Sequence, residues 1–237
     1  MKDALKTLFF KPSWYTIFVN PYFIARKNLY KEILIFSKNI RRKKILDLGC
    51  GSKPYASLFE ENIYIGIDIE NGGHKNSSKS SDIFFDGQVI PFDDVSFDVV
   101  ICTQVLEHAE DPDRLIKEAY RVLKYDGLLY LTCPFVWPEH EVPYDFRRYT
   151  QFGLRKLAGR EFNLIHIKPT AAGIFATCGQ LLSAFLFELV GKNFFLRTLM
   201  ALLICFPIQL AFLILDFLFR HKGMNLDYVV IARKYET

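Results

Sequence analysis

At 237 residues the chain is ample for a single α/β core with extra elements. Its five cysteines, at positions 50, 102, 133, 178 and 205, show neither paired nor metal-type spacing, which excludes a disulfide framework and points to a reducing compartment. The net charge of +4 is unevenly spread: residues 1–44 hold about eleven Lys or Arg against Asp3 and Glu32, so the remainder is mildly acidic.

That basic end is also aromatic, with Phe9, Phe10, Trp14, Tyr15, Phe18, Tyr22 and Phe23. Phe23-Ile24, Leu29 and Ile33-Leu34 then recur at helical spacing, so residues 1–43 are expected to form a helical cap. Lys11-Pro12 interrupts the early apolar stretch, so no secretory signal is expected and cytoplasmic residence follows. The basic patch fits an anionic lipid surface, RNA phosphates or plain solvent.

Residues 45–51 read Ile-Leu-Asp-Leu-Gly-Cys-Gly, and a second apolar run, Tyr64-Ile-Gly-Ile-Asp68, also ends on a carboxylate. A buried strand, Lys44 to Leu48, must turn sharply here, and Gly49 and Gly51 allow positive φ and close approach of a ligand to the backbone. Asp68, ending the next parallel strand, can accept both hydroxyls of a ribose. A dinucleotide site would want a third glycine where this chain has Ser52-Lys53-Pro54, so a phosphate-free nucleoside fits better.

A helix is expected to begin near Pro54, and the serine-rich stretch Glu70 to Ser81 reads as a surface loop. Strand three, Ile83 to Phe85, leads to Asp86-Gly87 and Pro91-Phe92, and strand four, Phe97 to Thr103, runs into Gln104-Val-Leu-Glu107-His108. Asp111-Pro112 opens a helix whose Leu115, Ile116, Ala119, Val122 and Leu123 share a face. Asp126-Gly127 turns it into strand five, Leu128 to Phe135. Thr150 caps a further helix ending near Gly159, followed by strand six, Phe162 to Lys168, and strand seven, Asp227 to Arg233.

In this order the motifs resemble the class I S-adenosylmethionine-dependent methyltransferases. The likeness runs over residues 45–169 plus strand seven and is closest to the methyltransferase type 11-like branch, whose members often act on small molecules or on bacterial surface-glycan and lipid precursors. It implies an α/β, Rossmann-like domain over 44–237 with a seven-stranded, mostly parallel sheet of order 3-2-1-4-5-7-6. It also implies S-adenosyl-L-methionine as cofactor. By that resemblance Asp47 and the backbone of Gly49, Cys50 and Gly51 hold the methionyl end, Asp68 and Ile69 the ribose, Asp86 and Gly87 the adenine amine, and Gln104 the amino-acid moiety. His108 either flanks the cofactor or caps the following helix.

The segment after strand five, Cys133 to Thr150, is long, aromatic and placed at the carboxyl end of the sheet, where α/β folds bind ligands. His140 has the intrinsic pKa of a general base, and Arg147 or Arg148 suits an acidic acceptor. The competing reading is an ion-pair network of His140, Glu141, Asp145 and the arginines that orders the loop. No metal is expected, because His140, Glu141 and Asp145 are spaced unlike common sites.

Between strands six and seven lies an apolar insertion, 171–222. One stretch, Ala171 to Val190, carries Gln180 and Glu188; another, Thr198 to Phe219, carries Pro207, Gln209 and Asp216. Each is long enough for a bilayer, yet the chain must return to the sheet, so it crosses twice or not at all. Two crossings would strand Lys192 and Arg197 on the far side and bury Glu188 and Asp216. A helical hairpin lying peripherally at the inner membrane face is therefore favoured, with a lid or a homodimer interface as the alternatives. The expected function is methyl transfer to a small-molecule, glycan or lipid-linked acceptor. An RNA or protein substrate is disfavoured because Thr103-Gln-Val-Leu stands where an Asn-Pro-Pro-Tyr-like motif would, and a non-enzymatic scaffold with a vestigial fold is the remaining alternative.

Overall fold

Seven strands form one sheet in the order β3-β2-β1-β4-β5-β7-β6. They are β1 (Lys44–Leu48), β2 (Ile63–Ile69), β3 (Ile83–Phe85), β4 (Phe97–Thr103), β5 (Leu123–Pro134), β6 (Asn163–Pro169) and β7 (Asp227–Arg233). The computed structural model describes residues 9–70, 79–170, 173–191, 193–219 and 223–235; most of the Glu70 to Ser81 loop, Lys2, Lys6, Ala171 and Lys192 lie outside the described residues. The chain divides into two compact units, one of residues 34–168 with 227–237, the other of residues 1–33 with 169–226.

The first unit holds the sheet. β1 is central and parallel to both neighbours, with Asp47 opposite Gly66 on β2 and Ile101 on β4. Such strands are covered on both faces, which is why they read as unbroken apolar runs rather than alternating ones. Leu46, Leu48, Ile67, Val100, Cys102, Leu129 and Leu131 are all fully buried in one cluster. β7 runs antiparallel to β5, from Leu128↔Arg233 to Pro134↔Asp227. On the helix Pro112–Val122, Asp111 caps the N-terminus by accepting from the Arg114 N–H at 3.0 Å, and Leu115, Ile116, Ala119 and Val122 are buried.

Two sequence expectations in this unit are corrected. No helix of normal length starts at Pro54; a three-residue 3-10 turn, Ala56–Leu58, takes its place. Lys53 adopts a left-handed φ of 51°, and a residue before proline is biased away from helical backbone, so an α-helix cannot propagate through Lys53-Pro54. Strand five begins at Leu123 rather than Leu128, since the chain passes from helix into strand and absorbs Asp126, at φ 60°, in a bulged register between Phe97 and Val99.

The second unit is helical. It contains a 3-10 turn, Trp14–Phe18, the first part of α1 (Phe23–Ser37), α4 (Ile174–Glu188), and one continuous helix Phe194–Phe219 made of α5 (Phe194–Met200), a π-helical turn (Ala201–Cys205) and α6 (Phe206–Phe219). The labels α2 and α3 fall to Pro112–Val122 and Gln151–Ala158 of the sheet unit. Pro207 explains the π turn: it has no N–H for the carbonyl four residues back, and the backbone widens just upstream. At Gly179 an added Cβ would stand 2.4 Å from the Phe212 Cβ, so glycine sets how closely α4 and α6 approach.

Polar side chains fill the middle of this unit. Fully buried Gln180 accepts from the Ala25 N–H at 3.0 Å and donates to the Pro21 carbonyl at 2.8 Å. Gln209, equally buried, accepts from Ile24 N–H and donates to Asn20 O at 3.4 and 3.0 Å. Together they satisfy the unpaired amides that open α1. Asp216, expected to be costly if buried, caps α4 by accepting from the Gly173 and Ala176 N–H groups at 3.0 and 3.2 Å. Glu188 is paired with Tyr22 and with Arg197, the latter at 3.0 Å.

Candidate active site

The first half of the site sits where β1, β2 and β3 end. Gly49 has φ +70°, and a Cβ there would lie 2.4 Å from the Val105 Cγ2, so the turn is closed to any other residue. The Gly49 and Cys50 N–H groups both donate to the Ile67 carbonyl, at 2.9 and 3.0 Å. Gly51, at φ +51°, would point a Cβ into open space, leaving its backbone accessible to a ligand. Its N–H donates to Asp68 Oδ2 at 2.8 Å, and Ile69 N–H donates to Oδ1 at 2.8 Å. Lys79, a residue the sequence did not single out, brings its ammonium 2.9 Å from Asp68 Oδ1 and donates to the Ile69 carbonyl at 2.5 Å.

Asp47 is buried at the end of β1 and accepts from the Tyr64 hydroxyl at 2.5 Å. Burial pushes its carboxyl up to about 7, against the pull of the Tyr64 hydrogen bond and of Lys53. Asp86 is exposed and accepts from the Val89 and Gln88 N–H groups at 2.9 and 2.7 Å, bonds that hold it below the usual carboxylate range. Gly87, at φ +77°, would bring a Cβ to 3.2 Å from Ile69, which places the ends of β2 and β3 side by side. Gln104 leaves β4 at φ 56°; its N–H donates to the Thr132 carbonyl at 2.9 Å and its amide reaches Thr132 Oγ1 at 3.3 Å.

The second half is built by the 3-10 turn Leu106–His108 and the loop after β5. The two are tied by the Phe146 N–H donating to the Glu107 carbonyl at 3.0 Å and by the His108 Nδ1, 2.8 Å from the Tyr144 carbonyl. The His108 and His140 rings meet edge to face with centroids 4.8 Å apart. Asp145 accepts from the His140 N–H at 2.9 Å and pairs with both Arg148 terminal nitrogens at 2.5 and 2.7 Å. Those donors outweigh its burial and hold the carboxyl down at about 2. Burial lowers His140, while it drives Glu107 well above the usual carboxylate range.

His140, His108 and Glu107 are thus brought together, whereas the two arginines are turned to the scaffold. Arg148 also donates to the Trp137, Pro138 and Arg147 carbonyls, and Arg147 donates to the Ala109 and Glu110 carbonyls at 2.5 and 3.0 Å. Their guanidinium forks order the loop. Glu107 was visible in the sequence only as the neighbour of His108. It is completely buried, and neither carboxylate oxygen has a hydrogen-bond partner among the described residues.

Comparison with known proteins places this geometry. Residues 46–131 match the methyltransferase type 11 family model, described as a methyltransferase domain. An uncharacterised protein of Methanocaldococcus jannaschii is 37% identical over 109 residues, covering 45% of this chain and 52% of that protein. A ubiquinone biosynthesis O-methyltransferase of Pelagibacter ubique is 29% identical over 119 residues, covering 45% and 49%. The chain spans about half the length of the curated relatives it matches.

Among solved structures, a [4+2]-cyclase superposes with TM-score 0.60 at 17% identity, over 91% of this chain and 84% of the cyclase. An S-adenosylmethionine-dependent methyltransferase from Mesorhizobium loti gives 0.54 at 13%, over 89% and 100%. Identities this low carry the fold alone, and a cyclase on the same fold shows that architecture does not fix the reaction. The family match rests on the β1-to-β5 segment itself: over residues 46–131 the chain is similar to the methyltransferase type 11 domain.

Proposed function

We propose that this chain transfers a methyl group from S-adenosyl-L-methionine to an oxygen of a small-molecule, glycan or lipid-linked acceptor presented at the inner face of a membrane. The observation that carries the donor half is the join between the glycine turn and Asp68. Gly51 keeps open space beside its backbone, and the Asp68 carboxylate is already oriented by two backbone amides. These residues fit a ribose diol once Lys79 moves off Oδ1. Asp47 and the Gly49–Gly51 backbone receive the methionyl end, Asp86 with Gly87 the adenine amine, and Gln104 the amino-acid moiety.

S-adenosylmethionine, when bound, supplies a methyl group already made electrophilic by its sulfonium. The protein's part is placement and removal of the acceptor proton. His140, oriented through Nδ1 by Asp145 and the Pro138 carbonyl, serves the acceptor side together with Glu107 and His108. Arg147 and Arg148 act as positioning residues that fix the His140 loop. The printed function of the ubiquinone-pathway relatives supports an oxygen acceptor.

The membrane half rests on the second unit. Phe194–Phe219 is the one helix among the described residues long and apolar enough to cross a membrane, and it leaves Phe194, Phe195, Leu203 and Ile214 exposed. An apolar surface of this extent suits a lipid phase, and the basic N-terminal segment suits anionic headgroups. Isothermal titration calorimetry tests the donor assignment: one saturable S-adenosylmethionine site is expected, weakened roughly 100-fold in Asp68→Ala through loss of two charge-assisted hydrogen bonds. Absence of binding by the unaltered protein would overturn the transferase reading.

A further inference from the structure

We propose that Glu107, His108 and His140 form a binding site for one divalent transition-metal ion of the zinc class. Each offers a ligand atom, and the three atoms lie within 4.8 Å of one another. Proximity alone would say little. The independent observation is that, among the described residues, this polar cluster is left unsatisfied: Glu107 is fully buried with no hydrogen-bond partner for either carboxylate oxygen, and the His108 Nε2 is buried without one. Leaving such groups unpaired in the interior is unfavourable, and a cation would partner both of them together with His140.

The imidazoles are prepared for it. In both rings Nδ1 faces an oxygen: the Tyr144 carbonyl at 2.8 Å from His108, and Asp145 Oδ2 and the Pro138 carbonyl at 3.1 and 3.3 Å from His140. An N–H on Nδ1 leaves the lone pair on Nε2, the arrangement in which a ligating histidine is held by a carboxylate or carbonyl behind it. Asp145 is in turn clamped by Arg148, so the outer layer of the site is fixed.

The donor set chooses the ion. Two imidazoles and one carboxylate suit zinc and its neighbours, whereas calcium and magnesium favour oxygen ligands throughout. Tetrahedral zinc with nitrogen and oxygen bonds of about 2.1 Å sets its ligand atoms about 3.4 Å apart. The His108 Nε2 to Glu107 Oε1 distance of 3.9 Å is about half an ångström wider than that, and the widest separation, up to 4.8 Å, would have to close by about 1.4 Å as the side chains rotate onto the ion. Glu141 Oε1, 3.8 Å from His108 Nε2, borders the same space. A three-ligand site leaves an open position, where an ion would polarise an acceptor oxygen and lower the pKa of its hydroxyl. That use of the ion rests on the transferase reading; its binding does not, and it would make His140 a ligand in place of a base.

The test is a cobalt(II) titration of the full-length, metal-stripped protein, followed by the visible d–d absorption of the ion and by competition with zinc. One equivalent is expected to bind with the spectrum of a four- or five-coordinate nitrogen and oxygen site, and zinc should displace it. Glu107→Gln and His140→Ala should each weaken binding at least tenfold, with far-ultraviolet circular dichroism confirming that they fold. His140 is partly exposed, so its variant keeps the test decisive should the buried Glu107→Gln fail to fold. Absence of saturable binding, or unchanged binding in His140→Ala, would overturn the site. Titrating S-adenosylmethionine into the same metal-free sample reads the transferase assignment separately.

Discussion

The two units of this chain are built in opposite senses. In the sheet unit the interior is apolar, with Ile45, Leu46, Ile67, Val100 and Leu129 fully buried, and charged groups collect where the strands end. In the helical unit Gln180, Gln209, Thr177 and Ser183 are fully buried, while Phe194 and Phe195 stay 74% and 72% exposed. One unit gains its stability by removing hydrocarbon from water. The other ties its helices together with hydrogen bonds to helix ends and leaves large apolar side chains exposed.

The contrast is broken most strongly by placing the same charge in both units. Val100→Glu buries a carboxylate in the centre of β4 and should cost more than about 4 kcal/mol, enough to abolish a cooperative melt. Next comes Gln180→Leu. In the sheet unit a more apolar interior would be tolerated, but here the Ala25 amide and the Pro21 carbonyl lose their partner, and chemical denaturation should show a loss of about 3 kcal/mol. A neutral or stabilising result would mean that the buried glutamines do not hold α1.

Phe194→Glu/Phe195→Glu should do the reverse of Val100→Glu. Both positions are exposed and lie in the first turn of α5, where a carboxylate is favoured by the helix dipole, so the melting temperature should hardly move. Sedimentation with vesicles of anionic phospholipid should weaken about thirtyfold, or roughly 2 kcal/mol, from two phenyl groups withdrawn from lipid. Undiminished vesicle binding would remove the membrane half of the proposal and leave that face for a second copy of the chain.

Legibility in the sequence followed the same division. β1, β3, β4 and β7 have the expected bounds: β1, β4 and β7 are short, largely buried apolar runs, β1 is ended by Gly49, and the exposed β3 is ended by Asp86. The helix expected at Pro54 does not form, because a proline suited to a first turn carries no sign of the left-handed Lys53 before it. Asp68 was legible as a strand-end carboxylate, but Lys79 was not, since a lysine in a polar loop carries no sign of which acid it will meet. Glu107 was hidden for the same reason: only the fold reveals that this strand exit is dry. Arg147 and Arg148 looked able to reach outward because sequence shows a side chain's donors and not the backbone carbonyls that wait for them.

The smallest change in binding expected, about tenfold, is also the one that separates the two ways a buried group can be held. Asp47 sits in the apolar interior of the sheet unit with its carboxyl raised to about 7, and burial is the cause. A folded-state pKa above the unfolded value means that the group's contribution to stability is fully present below about 4 and is lost as the pH rises through 7. In the cofactor-free protein Asp47→Asn should therefore raise the melting temperature at pH 8 and change it little near pH 4. Cofactor binding should move the other way. If Asp47 receives the ammonium of the methionyl end, only its ionised form binds well, and affinity measured by calorimetry should rise about tenfold between pH 6 and pH 8 before levelling off. In Asp47→Asn the profile should be flat and weak throughout. A wild-type profile as flat as the variant's would mean that Asp47 is held, like Gln180, for structure alone.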